Sequence, residues 1–206
     1  NVYDFITEHK SKLRSITFTG DVFSVPSLAK WKRLAQEINE NLQIFITPGN
    51  HDILRPDSKD VFKLSKFGQQ DYPFLKYFDA TPIIFDDSIS SNWEVSNKTL
   101  ELANKKKLGV VIIARHNIPT TDLLGVSNSS AGMSKELSEV ESLVQKFNKD
   151  TSYYWVIGDG GAFPGLPRLS CLNFLNHTFL VNGIGELAGD TILLFNKGNF
   201  YQYEVI

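Results

Sequence analysis

The sequence predicts a layered α/β fold of the α+β type, and three observations lead to this prediction. Helix-like and strand-like segments alternate through the first half of the chain. The strand-like segments are nearly continuous apolar runs, which is typical of strands buried on both faces. The C-terminal part instead contains consecutive strand-like runs. With 206 residues, of which 42% are hydrophobic, the chain is long enough for one domain with a substantial core, which we assign to residues 1–206.

The first four elements alternate in type. Apolar side chains at helical spacing predict a helix over residues 2–13, and the β-prone run "SITFTGD" predicts a strand over residues 15–21. Residues 27–42 repeat the helical spacing after Ser27, a residue type that favours the position before the first helical turn. The run "QIFITPGNHD", residues 43–52, predicts a second strand that ends at a Pro-Gly turn.

The middle of the chain is less regular. Residues 57–68 predict a helix that ends at Gly68, whereas the aromatic segment 69–80 predicts a loop over the surface. A short strand, a weaker helix and the strongest strand of the chain are predicted at 81–87, 96–108 and 109–119. The polar run "VSNSSAG" at 126–132 predicts a loop, and the spacing of apolar residues predicts an amphipathic helix over 133–150.

The last third of the chain is rich in predicted strands. The run "YYWVIGDGGAF" predicts a strand that ends in a Gly-rich turn. The runs "TFLVNGIG" and "TILLFNKGNFYQYEVI" predict consecutive strands, and the Asn-Lys-Gly-Asn turn joins the last two into a hairpin.

The charge balance, the cysteine count and the length of the apolar runs limit the partners and the environments that fit the chain. Lys plus Arg total 21 and Asp plus Glu total 23, so the net charge of −2 gives no electrostatic basis for non-specific nucleic-acid binding. Cys171 is the single cysteine, so no intramolecular disulfide can form, which favours a cytoplasmic location without requiring one. No apolar run approaches the length of a membrane span.

Polar side chains follow four of the apolar strand-like runs. Asp21 follows "SITFTG", Asn50 follows "IFITPG", His116 follows "VVIIAR" and Asp159 follows "YYWVIG". Ligands in open α/β sheets bind beyond the carboxyl ends of the strands, so these side chains are expected at one rim. Each residue alone also has a structural explanation, such as a turn cap for Asp21 or a packing role for His116. The coincidence of four strand ends favours a functional site.

The blocks "TGDVF", "PGNHD", "ARHNIP" and "GDGGA" resemble the spaced motifs of calcineurin-like metallophosphoesterases. That family carries Asp-x-His, Gly-Asp, Gly-Asn-His-Asp, a later lone His and Gly-His-x-His, and the resemblance extends over residues 16–161. It implies a β-sandwich core flanked by helices. It also implies hydrolysis of a phosphomonoester or phosphodiester, either a small molecule or a phosphoprotein, by attack of hydroxide bound to divalent Mn, Fe or Zn.

The resemblance also assigns roles to single residues. Asp21 would bridge two ions, and Asn50 and His116 would bind one of them. Asp159 stands at the first His position of Gly-His-x-His and can bind through oxygen. His51 would stabilise the transition state or protonate the leaving oxygen. Asp52 would orient His51 or hold the loop by hydrogen bonds.

The sequence departs from the family in two places. No Asp-x-His block precedes Asp21, because Asp4 and His9 lie inside the first predicted helix, so we expect a domain truncated at its N-terminus. Gly161 stands at the second His position and has no side chain to bind a metal, so one ion is better supported than two. His177 is expected to be a polar loop residue and not a replacement ligand.

These departures leave an alternative open. The chain is then a degenerate member of the family that acts as a binding or scaffold module without strong activity. The substrate, the choice between mono- and diesters, the metal and the oligomeric state are open at this level.

Overall fold

The structure is a computed structural model that describes residues 2–37, 42–105, 109–123, 137–159, 169–182, 190–196 and 199–205. Its helices are α1 (Val2–His9), α2 (Leu28–Glu37), α3 (Asn50–Ile53), α4 (Pro56–Leu64), α5 (Asn97–Asn104) and α6 (Ser138–Val144). Its strands are β1 (Ser15–Phe18), β2 (Gln43–Ile46), β3 (Phe74–Phe78), β4 (Thr81–Phe85), β5 (Val110–Arg115), β6 (Ser152–Ile157), β7 (Leu169–Phe174), β8 (His177–Asn182), β9 (Asp190–Asn196) and β10 (Asn199–Val205).

A mixed six-stranded sheet forms the centre of the described structure. Its strand order is β3-β4-β5-β6-β8-β7. The four inner strands run parallel, and the two edge strands pair antiparallel to their neighbours. The carboxyl ends of β4, β5 and β6 therefore lie at one edge of the sheet, where the segments that contain His116 and Asp159 begin.

One face of this sheet packs against α5 and α6. Ile113 pairs in register with Trp155, and Trp155 pairs with Phe179, so these side chains share a face. All three are fully buried, together with Ala103 of α5 and Val140 of α6. Because apolar side chains alternate along the strands at a period of two, the same strands leave a second apolar face on the other side.

The second face is covered by two smaller sheets. β1 and β2 form a parallel pair, and β9 and β10 form an antiparallel hairpin. Phe45 of β2 stacks on Phe85 of β4, with ring centroids 4.7 Å apart. Phe200 of β10 contacts Tyr154 of β6 at 5.3 Å. The predicted α+β class, with a sheet core flanked by helices, is confirmed.

The outer side of the β1–β2 pair is covered by α2 and α4. Trp31 of α2 is 1% exposed and packs in one cluster with Ile46, Phe62 and Phe67. The backbone N–H of Lys30 lies 3.3 Å from the hydroxyl of Ser27, as the predicted N-cap requires. None of the helices that the structure describes combines the length and the apolar character that a membrane crossing needs.

The prediction of a surface loop over residues 69–80 is wrong. Residues 74–78 of this segment form β3, which pairs with β4 through a tight turn at Asp79 and Ala80. Both turn residues have positive φ, 47° and 69°, as the hairpin turn that matches strand twist demands. Asp79 is a usual residue at the first position, but Ala80 stands where this turn normally has glycine, so the sequence signal is incomplete. Phe74 stacks on Phe85 at 4.9 Å, which explains the aromatic content of the segment.

Two further differences concern the C-terminal half. β7 was not predicted, although it pairs along its whole length with β8. The helix predicted over 133–150 is described as α6 from Ser138 to Val144, with the residues after Val144 in turns. The loop predicted at 126–132 lies outside the described residues.

Candidate metal centre

The turn after β1 places Asp21 in a backbone conformation that residues other than glycine rarely adopt. Gly20 has φ +92° and Asp21 has φ +50°. A Cβ atom on Gly20 would lie 2.4 Å from Nδ1 of His116, so the close approach of these two segments requires glycine. The left-handed backbone conformation of an aspartate costs free energy, so it is maintained only where surrounding contacts stabilise it. The backbone N–H of Asp21 donates to Oδ2 of Asp52 at 2.9 Å, which is one such contact.

The turn after β2 is hydrogen-bonded to the same aspartate, Asp21. Oδ2 of Asp52 also accepts from the N–H of Gly49 at 2.9 Å, and the N–H of His51 donates to Oδ1 of Asp21 at 2.9 Å. A Cβ atom on Gly49 would lie 2.2 Å from Oδ1 of Asp21. Of the two roles expected for Asp52, these contacts correspond to the second, because its carboxylate holds the two turns together.

His116 is fixed by the end of β1. Its ring is 2% exposed, and Nδ1 lies 2.8 Å from the carbonyl oxygen of Thr19. A carbonyl only accepts, so Nδ1 carries the proton and Nε2 presents its lone pair in the neutral ring. Nε2 lies 3.1 Å from Oδ1 of Asn50 and 3.5 Å from Oδ2 of Asp21. The predicted residues Asp21, Asn50 and His116 are therefore brought together.

Three electron-pair donors that face one another repel unless a positive charge lies among them. Oδ1 of Asn50, Oδ2 of Asp21 and Nε2 of His116 form such a set. Metal–ligand bonds to imidazole nitrogen and carboxylate oxygen are about 2.0–2.2 Å long, so two donors on one ion lie about 3–3.5 Å apart. The two separations from Nε2 of His116, 3.1 Å and 3.5 Å, meet this condition. Mixed oxygen and nitrogen donors suit Mn²⁺, Fe or Zn²⁺ better than a thiolate-selective metal.

The Asn50 amide is essential to this donor set. Among the described residues, no three His, Cys, Asp or Glu side chains come together as a metal-binding group. The neutral amide oxygen at 3.1 Å from His116 supplies the third donor without adding charge. The carbonyl of Thr19 behind the ring acts as the outer partner that metal-binding histidines usually have.

Asp159 lies at the same rim but is engaged differently. Its backbone N–H donates to the carbonyl of His116 at 2.9 Å, and its Oδ2 accepts from Nδ2 of Asn117 at 3.1 Å. Burial raises the pKa of the Asp159 carboxyl, and the negative charge of Asp21 raises it further, while His116 and Asn117 oppose the shift. Asp159 is thus close enough to interact with Asp21 and His116, and Asn117 restrains it. Gly161 lies outside the described residues.

A buried ion pair that the sequence analysis missed supports the segment after β5. Arg115 is fully buried, and its Nη1 lies 3.2 Å from Oδ2 of Asp86. Its Nε donates to the carbonyl of Asn117 at 2.7 Å, and its Nη2 donates to the carbonyl of Trp93 at 2.6 Å. Burial raises the pKa of Asp86, and the Arg115 guanidinium opposes that shift. The feature of the sequence that could have indicated this ion pair is an arginine at the end of the apolar run "VVIIA".

The His51 ring is held by the backbone of Ser24, whereas the Asp52 carboxylate accepts from Asp21 and Gly49. Nδ1 of His51 lies 3.0 Å from the carbonyl of Ser24, so Nδ1 donates and Nε2 is the ring nitrogen that this contact leaves available. The ring lines a pocket of about 200 Å³ together with Ser24, Val25 and Arg55. Ser24 therefore orients His51, a role that the sequence analysis considered only for Asp52.

His177 is not the polar loop residue that the sequence analysis expected. It begins β8, is 1% exposed, and accepts from the indole N–H of Trp155 through Nδ1 at 2.9 Å. Burial lowers its pKa to about 4, so the ring is neutral at physiological pH. It packs in the face of the sheet that α5 and α6 cover, among Phe147 and Tyr153.

Burial of Asp52 predicts a pH dependence of stability in the metal-free protein. Asp52 is fully buried, its Oδ1 has no partner among the described residues, and burial raises its pKa from 3.8 to about 6. Between pH 4 and 6 the unfolded chain releases this proton while the folded chain keeps it. The free energy of unfolding therefore falls as pH rises, by about 3 kcal/mol for this group.

We expect Asp52→Asn to remove that contribution, because an amide oxygen can accept from Gly49 and Asp21 without titrating. Urea unfolding in the presence of a chelator at pH 4 and pH 7 measures it. The stability of the variant relative to wild type should rise by about 2.4 kcal/mol between the two pH values, because part of the contribution is already lost at pH 4. Parallel pH profiles for the two proteins would contradict the assignment.

Comparison of the chain with protein-family models, curated proteins and solved structures gives no match. The resemblance to calcineurin-like metallophosphoesterases therefore rests on the motifs, and the case for a cation rests on the geometry of the three strand ends.

Proposed function

We propose that this protein is a metal-dependent phosphoesterase that hydrolyses a phosphomonoester or a phosphodiester. One observation carries the proposal. Nδ1 of His116 lies against the carbonyl oxygen of Thr19, and Nε2, which carries a lone pair when the ring is neutral, faces two acceptor oxygens. A divalent cation relieves the repulsion among these three donors, and the donor types match the metals that the family resemblance implies.

Asp21, Asn50 and His116 would hold the cation. A divalent cation bound there supplies Lewis acidity beside a phosphoryl group. Asp21 divides its two oxygens between two tasks, because Oδ1 accepts from the N–H of His51 while Oδ2 faces His116. This division supports one ion at the described site. Asp159 is the next donor at the rim, where Asn117 donates to its Oδ2.

His51 is placed to move a proton. Its backbone N–H holds Asp21, while its ring is turned by the carbonyl of Ser24 toward the adjoining pocket. The two contacts fix the backbone of His51 to Asp21 and its ring to Ser24. A histidine in this position can protonate a leaving oxygen, which is the role that the resemblance assigns to His51.

The first test of the proposal is metal binding by calorimetry. We expect the metal-free protein to bind Mn²⁺, and we expect Asp21→Asn and His116→Ala each to weaken binding at least tenfold, because the first removes the negative charge of the donor set and the second removes the imidazole. Asp71→Asn is the matched control, since its side chain is 97% exposed and pairs with Lys98. Absence of binding for Mn²⁺, Fe²⁺ and Zn²⁺ would overturn the metal assignment.

The second candidate is a binding module that keeps the cation without hydrolysis. The hydrogen bond from Asn117 to Asp159 favours it, because Oδ2 of the carboxylate that would complete the site already accepts from a protein group. The two candidates separate in an assay of a purified, Mn²⁺-loaded protein against aryl and alkyl phosphate mono- and diesters. Turnover that disappears in Asp21→Asn supports the phosphoesterase, whereas stoichiometric metal binding without turnover supports the module.

A further inference from the structure

The loop between β4 and α5, residues 87–95, presents an exposed tryptophan. Trp93 is 59% exposed, whereas Trp31 and Trp155 are buried. Within the described ranges, the Trp93 ring contacts no other aromatic ring and its indole N–H donates no hydrogen bond. No aromatic or hydrogen-bonding partner of the side chain therefore accounts for the position of this residue.

The backbone of Trp93 is nevertheless fixed in a conformation that costs free energy. Asn92 and Trp93 both have positive φ, 52° and 70°. The N–H of Trp93 donates to the carbonyl of Ser88 at 2.6 Å, and its own carbonyl accepts from Nη2 of Arg115 at 2.6 Å. Arg115 is fully buried, which is costly for a charge even when it is paired, as here with Asp86. Backbone conformations of this kind cluster at functional sites, where surrounding contacts maintain them.

The loop is attached to both segments that carry the donors of the candidate metal centre. Arg115 and Asn117, the two neighbours of His116, each donate a hydrogen bond to the loop, the first to the carbonyl of Trp93 and the second from its backbone N–H to a serine hydroxyl. On the other side, Ile89 packs against the apolar cluster that contains the last residue of α3, the helix that begins at Asn50. A phosphate ester bound at the proposed cation therefore adjoins this loop.

We propose that Trp93 binds a planar aromatic ring on the alcohol part of the substrate. The inference rests on the proposed phosphoesterase function and narrows its substrate class to small phosphate esters whose leaving alcohol carries such a ring. An indole gains more free energy from offset or edge contact with an aromatic ring than from the burial of the same area alone. Because the backbone of Trp93 is fixed before the substrate binds, less ordering is needed on binding. Trp93 determines specificity and takes no part in the proton transfer.

Steady-state kinetics of the Mn²⁺-loaded protein with matched pairs of esters tests this role. Benzyl phosphate and cyclohexylmethyl phosphate both release a primary alcohol of similar size, so they differ mainly in the aromatic ring. We expect the wild type to prefer benzyl phosphate in kcat/KM, and we expect Trp93→Ala to lower this preference about three- to tenfold, through KM. Trp93→Phe keeps an aromatic ring and should retain most of the preference. A nucleoside monophosphate and its base-free sugar phosphate form the corresponding pair for a heterocyclic ring, and the pair with the larger Trp93-dependent preference identifies the kind of ring.

Tyr77→Ala is the matched control. Tyr77 is exposed to a similar extent, 54%, but it pairs in register with Pro82 near the start of β4, whereas Trp93 follows the end of that strand. The two residues therefore belong to opposite edges of the sheet, and Tyr77→Ala should leave the preference unchanged. An unchanged preference in Trp93→Ala, or an equal loss in Tyr77→Ala, would overturn the proposal.

A binding measurement separates this inference from the proposed function. Calorimetry of the Mn²⁺-loaded protein with phenethylphosphonate and cyclohexylethylphosphonate, which cannot be hydrolysed, reports the contact without turnover. Tighter binding of phenethylphosphonate that is lost in Trp93→Ala, in a protein that hydrolyses no ester, supports the contact and refutes the phosphoesterase. Hydrolysis of both phosphate esters with the same preference in wild type and Trp93→Ala refutes the contact and leaves the phosphoesterase intact. Equal binding of the two phosphonates by the wild type, or binding of neither, would also refute the contact.

Discussion

Gly158→Ala is expected to destabilise the protein by about 3 kcal/mol or more, at the upper end of what an added methylene costs in a packed interior. A Cβ atom at Gly158 would lie 2.0 Å from the carbonyl oxygen of Thr19 and 2.5 Å from its hydroxyl. The carbonyl cannot move freely, because it accepts the hydrogen bond from Nδ1 of His116. The N–H of Gly158 in turn donates to the carbonyl of His116 at 3.1 Å. The ends of β1, β5 and β6 are thus fixed against one another at this glycine.

Gly109→Ala is the matched control for this prediction. A Cβ atom there meets nothing within 4 Å, so the same substitution should change the free energy of unfolding by less than about 1 kcal/mol. Urea unfolding of both variants measures the difference. Metal affinity of Gly158→Ala should also fall, because displacement of Thr19 releases the ring of His116. Equal stability of the two variants would show that the backbone of Thr19 is not held in place.

The layered arrangement could be predicted because the strong signals are local. Apolar runs such as 109–119 identify buried strands, and helical spacing with a capping residue such as Ser27 identifies α2. β3 was missed because its turn at Asp79 and Ala80 uses positive φ without glycine. The strand is defined by pairing with β4 and by stacking on Phe85, which are contacts that segment 69–80 does not reveal by itself.

The candidate site, like the fold, could be predicted only in part. That Asp21, Asn50 and His116 lie together could be predicted, because each follows a strand and strand ends share a rim. The contact of the Thr19 carbonyl with the His116 ring could not be predicted. Every residue has a backbone carbonyl, so the sequence does not show which one accepts this hydrogen bond. The ion pair between Asp86 and Arg115 was missed for another reason. Burial of a charge depends on a partner distant in sequence.

His51→Ala is expected to lower kcat for alkyl phosphate esters by about 10²–10⁴-fold, the usual contribution of a general acid. Its effect should differ from that of the neighbouring Asn50→Ala. Oδ1 of Asn50 faces Nε2 of His116, so Asn50→Ala should weaken Mn²⁺ binding, and excess Mn²⁺ should restore part of the activity. The His51 ring contacts Ser24, while only its backbone N–H holds Asp21, so His51→Ala should leave Mn²⁺ affinity nearly intact.

The leaving group distinguishes proton transfer from a loss of structure. Nitrophenolate departs without protonation, so the loss in His51→Ala should shrink for nitrophenyl phosphate, whereas a misfolded site would lose both activities equally. His9→Ala is the control, since His9 lies on α1, where its ring stacks on Phe5, and belongs to no candidate site. It should retain full activity on both substrates. Wild-type rates of alkyl ester hydrolysis by His51→Ala would remove His51 from the mechanism, because no other described histidine lines the pocket that contains His51.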